Sequence, residues 1–219
     1  MIVKRLMLLC GLVLCLSCGA GLAEDRPEPI SLPNALSAYQ GILQDGDSFL
    51  FWGDGRPSNL ARLAETLEDF PLAFPRFALA DLDQDGIPEL ILEEVPEGSE
   101  YAWAFVVFHI QDGTVYGYEM VYRALLELKE DGTFSYSSGA ADNGYGYAAF
   151  TSERMEIVPL AFSQSGRDAQ GNDTVSYFIE NQPISPHSYN QALTAQEKKA
   201  NAEWHNLTDA NIQALLAAQ

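Results

Sequence analysis

Asp81, Asp83 and Asp85 alternate with other residues inside the stretch 77–94, FALADLDQDGIPELILEE, and Gly86 follows them. Carboxylates spaced this way on a tight turn suit a hard cation, since calcium takes six to eight oxygens at roughly 2.3–2.6 Å. Gly86 lets the chain double back, because glycine reaches backbone angles that side chains forbid. Without a cation, converging carboxylates repel one another. The spacing therefore predicts a calcium site made of the side chains of Asp81, Asp83, Asp85 and Glu89, with the carbonyl of Ile87.

The details separate this loop from an EF-hand, which lies between helices and carries a bidentate Glu at position twelve. Counted from Asp81, position twelve is Leu92, which cannot ligate, and Glu89 stands at position nine. The flanks, Phe77 to Ala80 and Leu90 to Leu92, are short apolar runs without helical period, and Pro88 opposes a helix through that point. A strand–loop–strand calcium hairpin follows, similar to the single loops in blades of integrin-type propellers. No internal repeat accompanies it, so a propeller is excluded.

The elements around the hairpin are read from pattern. Residues 32–44 predict a helix capped by Ser31, with Leu32, Leu36, Tyr39 and Leu43 on one face and Gly46 at its end. Phe49 to Trp52 form an apolar patch, assigned to the core rather than to ligand stacking. A second helix is expected over 58–69, stopped by Pro71. From 101 to 179 the pattern turns to strands: 102–110, apolar on both faces and so central, then 114–122, 125–129, 133–137, 144–151, 155–162 and 175–179. Helices return over 186–204, capped by Ser185, and 209–218, capped by Thr208. The fold class is α+β: an antiparallel meander with helices from both chain ends packed against it.

Composition narrows the function. Residues 1–23 read as an export signal, with Lys4 and Arg5 before an apolar core and the small-residue site Gly21-Leu22-Ala23. Leu16-Ser17-Cys18-Gly19 offers a rival processing site, a lipobox in which Cys18 would be lipidated, although Cys15 replaces the usual Leu. All three cysteines, Cys10, Cys15 and Cys18, lie in this leader, so residues 24–219 have no disulfide framework. The net charge of −19 becomes −21 when Lys4 and Arg5 leave with the leader. Such an acidic chain has no basic patch for nucleic acid or an anionic membrane. No apolar stretch after the leader is long enough to span a bilayer. The location expected is secreted or on the outer face of a bacterial cell, where calcium is abundant.

The catalytic patterns are missing. The histidines are His109, His187 and His205, with no HExxH and no pair at ligand spacing, and there is no Gly-x-Ser-x-Gly elbow. His109, at a strand end, reads as structural. Two polar loops stand apart: 138–147, SGAADNGYGY, read as a long turn, and Arg167 to Asp173, a weak second cation loop.

The order of these features, with the phrases FALADLDQDGIPELIL and YFIENQPISPHSYNQAL, resembles a group of uncharacterised exported proteins and lipoproteins of Gram-positive gut bacteria. The resemblance covers most of the chain after the leader, but only the Asp81–Glu89 phrase is a specific motif. It implies a surface or extracellular location and a cation loop, and no activity. The function expected is a calcium-stabilised module binding an unidentified protein or carbohydrate. The alternative is a secreted hydrolase of cell-wall or dietary polymers.

Overall fold

The computed structural model describes residues 30–52, 55–65, 71–151 and 154–217; residues 1–23, where an export signal is expected, and all the cysteines lie outside them. Helix α1, Leu32–Gln40, runs into a wider π-type turn, Gly41–Asp45, and stops where Gly46 takes φ 71°. Its buried face is Ala35, Leu36 and Tyr39, while Leu32 stays exposed. Strands β1, Phe49–Phe51, and β2, Arg56–Ser58, form a short hairpin, and Phe49 is buried as core.

The second helix differs from expectation. It is only α2, Leu60–Ala64, because Ser58 pairs within β2 and Asn59 takes the cap, its side chain accepting from the Arg62 amide. The expected continuation through 66–70 lies outside the described residues.

β3, Leu72–Ala73, precedes the central hairpin of β4, Arg76–Ala80, and β5, Glu89–Pro96. Then come β6, Ala104–Gln111, and β7, Thr114–Val121, joined at Asp112 and Gly113, both at positive φ. β8, Phe134–Ser137, β9, Asn143–Phe150, β10, Met155–Arg167, β11, Asp173–Ile179, and β12, Gln182–Ile184, follow. The strand expected over 125–129 does not form. Glu127 sits at φ 44°, which breaks the extended run, and single bridges remain, Leu126 to Ser135 and Lys129 to Asn201.

α3, Pro186–Glu197, is capped by the Ser185 hydroxyl, which accepts from the Ser188 amide. It ends well before Trp204, which belongs instead to β13, Trp204–Asn206, paired with β4. α4, Asp209–Ala217, closes the chain, with the Asn211 amide donating to the Thr208 hydroxyl. The architecture is α+β.

The strands divide into two sheets. The first has the order β13-β4-β5-β6-β7-β1-β2, with β3 added on β5, and is antiparallel except for β1 beside β7. The second has the order β12-β11-β10-β9-β8. Alternation along the first sheet sends Phe77, Leu90, Leu92, Val106 and Phe108 to one core, with α1 and Ile212 of α4. Ala78, Ile91, Phe105, Val107 and Met120 go to the other, against Phe134 and Ala148 of the second sheet. β6 is buried along almost its whole length because both faces of its sheet are covered.

Candidate metal centre

β4 and β5 pair from Phe77↔Leu92 to Ala80↔Glu89, so the acidic loop leaves and re-enters the ladder in register. Gln84 at φ 64° and Gly86 at φ 92° supply the reversal. Amides of the loop then orient its carboxylates. Asp81 accepts from Asp85 N–H through Oδ1 at 3.1 Å and from Gly86 N–H through Oδ2 at 3.0 Å. Asp83 Oδ1 accepts from Asp85 N–H at 3.2 Å, and Asp85 Oδ1 accepts from Ile87 N–H at 2.7 Å. As a result one carboxylate oxygen from each of Asp81, Asp83 and Asp85 lies within 4.8 Å of the others. Three oxygens at that spacing are a donor set for a hard cation.

Glu89 stands beside this trio rather than within it. Its carboxylate and Asp83 form an adjoining group with His109, again within 4.8 Å, so Asp83 is common to both. Glu89 is only 1 % exposed, and both of its oxygens are engaged: Oε2 accepts from Leu82 N–H at 2.7 Å, and Oε1 lies 3.0 Å from His109 Nδ1. Ile87 lies in the loop with its amide bound to Asp85. Burial, with Asp83 nearby, pushes the Glu89 carboxyl up to about 7, against the opposing pull of His109. Burial and the Asp85 carboxylate also raise Asp83. A divalent ion among these groups would reverse that repulsion.

His109 is the residue that sequence reasoning undervalued. Its ring stacks on Phe150 of β9 at 4.2 Å and 8°, and its Nδ1 lies 3.9 Å from Asp83 Oδ2. The signal was strand register: Leu90 pairs with Phe108, which puts Glu89 opposite His109 on the next step.

The loop also joins the two sheets. Leu82, fully buried between its acidic neighbours, accepts the Ala148 amide of β9 through its carbonyl. On the other side Gly132, at φ 77°, comes so close to the Asp81 carbonyl that a Cβ there would lie 1.8 Å from it. Ions held by the loop would therefore brace three segments at once.

The remaining polar loops do not gather carboxylates. Asp168 is occupied by the Gln170 and Asn172 amides and the Asn172 side chain, while Arg167 pairs with Asp173 at 3.1 Å, closing the β10–β11 hairpin. The long turn expected over 138–147 is shorter: residues 138–142 make it, with Asp142 bound to Ser165, and 143–147 belong to β9. His187 and His205 are apart from the centre, in α3 and β13. Among the described residues no helix is long and apolar enough to cross a membrane. Comparisons with protein-family models, with curated proteins and with solved structures find no match.

Proposed function

We propose that this chain is an extracellular, calcium-stabilised binding module. The observation that carries the calcium part is the convergence of Asp81, Asp83 and Asp85, oriented by amides of their own loop. Glu89 sits next to them, engaged by Leu82 N–H and His109, and shares Asp83 with the trio. Water and the Ile87 carbonyl would have to complete the hard-oxygen shell, of the kind calcium prefers over the stricter octahedron of magnesium. The extracellular reading rests on the leader over 1–23. Whether the chain is cut after Ala23 or lipidated at Cys18, it reaches a calcium-rich side of the membrane.

The role proposed for the ion is structural. The loop that would hold it meets β9 and the 130–132 turn, so its binding energy would become folding energy. The Glu89–His109 pair does not favour the hydrolase reading, because both side chains are buried and held by structural partners. Isothermal titration of the chelated protein with calcium, with magnesium as comparison, tests this. Calcium-selective binding that Asp83→Ala abolishes supports the proposal, and equal heats from both ions overturn it.

A further inference from the structure

Along the same sheet face, at the end away from His109, a cavity of about 450 Å³ opens between the first sheet and the segment before β8. That volume falls within the roughly 300–1,000 Å³ usual for small-molecule sites. Its floor is built by register. Glu93 pairs with Phe105, Trp204 pairs with Ala78, and Arg76 lies one step beyond the Phe77↔Leu92 pair. Leu128, Lys129 and Asn201 form the facing wall.

Two features of this cavity restrict what can occupy it. The first is charge. Arg76 and Lys129 face three carboxylates, Glu93, Glu127 and Glu197, so anions meet no net attraction. Both cations are also engaged. Arg76 holds Glu93 in a bidentate pair at 2.7 and 2.5 Å, and Lys129 Nζ donates to Asn201 Oδ1 at 2.8 Å with Glu127 3.7 Å away. The second is the side-by-side placement of apolar and polar groups. The Arg76 guanidinium lies 5.5 Å over the Trp204 ring, and that ring lies 5.8 Å from Phe105.

The Arg76–Glu93 pair leaves bonding capacity at its edges. A guanidinium has five N–H donors and a carboxylate about four acceptor sites, and the bidentate contact uses two of each. Fixed donors and acceptors beside an aromatic ring match a ring that has hydroxyls on its rim and C–H groups on its face. A purely apolar ligand would strand those polar edges without water. We infer that this cavity binds a neutral saccharide, with the Arg76–Glu93 pair as the hydroxyl clamp and the Trp204 ring beside it as the apolar contact.

This inference rests on the binding-module reading but does not need the cation. It is tested by titrating the full chain, in excess calcium, with soluble neutral oligosaccharides of the cello, xylo, manno, malto and chito series. Isothermal titration gives affinity, and saturation-transfer NMR identifies the protons in contact. At least one series is expected to bind through its ring C–H face. Trp204→Ala should weaken it about tenfold or more, Trp204→Phe less, and Trp52→Ala not at all. Should Trp204→Ala fail to fold, Trp204→Phe and Asn201→Ala decide the question, each expected to weaken binding several-fold. Binding to none of the series, binding only to acidic oligosaccharides, or neutral binding unchanged in the Trp204 and Asn201 variants overturns the inference. A calcium-dependent melt without saccharide binding sinks this site alone, whereas saccharide binding without a calcium response sinks the metal centre alone.

Discussion

His109 stands opposite Glu89, one register step past the Leu90↔Phe108 pair, with its Nδ1 3.0 Å from Glu89 Oε1. The contact links β6 to the first residue after the acidic loop, and the stack on Phe150 carries it across to the second sheet. His109 therefore fixes Glu89, and through Glu89 the Leu82 amide in the loop.

Replacing His109 with Phe should keep a ring against Phe150 but leave Glu89 Oε1 buried without its partner. An unsatisfied buried acceptor costs about 1–3 kcal/mol. Urea unfolding in chelator is expected to show that loss with an unchanged slope, and wild-type stability would mean the pair is incidental.

Gly132 and Gly86 make a contrasting pair. Both sit at positive φ, at 77° and 92°, yet a Cβ on Gly86 meets nothing within 4 Å, whereas one on Gly132 would lie 1.8 Å from the Asp81 carbonyl. Gly86→Ala should cost about 1–2 kcal/mol from backbone strain alone. Gly132→Ala should cost clearly more and weaken calcium binding, since the loop must shift. Comparable unfolding midpoints and calcium affinities for the two variants would contradict this.

Much of the hairpin was legible in the sequence because its information is local. Alternating aspartates, a glycine and two apolar flanks specify a strand–loop–strand unit, and the continuous apolar run of β6 marks a strand covered on both faces. What escaped was long-range. Trp204 continues a helical pattern, but pairing with Ala78 across the chain holds it in a strand. Residues 125–129 are apolar enough for a strand, but the positive φ of Glu127 turns them into a wall of the cavity. The second sheet could not be separated from the first, because tight turns look alike whether or not the next strand stays in the same sheet. The Glu89–His109 contact needed strand register, which periodicity does not supply.

Glu94 is a second buried carboxyl, 1 % exposed, with neither oxygen partnered. Burial, helped by Glu119, pushes it up to about 8. Between an unfolded value near 4.5 and that raised value the native state holds the proton more tightly. Stability is therefore full below the lower value and falls as pH rises through the upper one, by on the order of 3 kcal/mol at pH 7. In chelator, Glu94→Gln should flatten the decline between pH 5 and about 8. An identical pH slope in both proteins would remove Glu94 as its source.

Asp83 belongs to both acidic groups, so Asp83→Ala should remove the response to calcium while costing little in chelator. In the metal-free protein the substitution also lifts repulsion among Asp83, Asp85 and Glu89, which offsets part of that cost. Equal destabilisation with and without calcium would mean that Asp83 acts through the fold and not through an ion.

The most direct test of the central claim is a thermal melt of the purified protein in excess calcium, in chelator and in magnesium. Calcium at about a hundred times its dissociation constant adds about 2.7 kcal/mol, which for a chain of this size raises the melting temperature by roughly 5–10 °C. A rise of that order with calcium, and little with magnesium, is the result predicted. Superimposable melts in all three would mean that Asp81, Asp83 and Asp85 form only a turn held by its own amides.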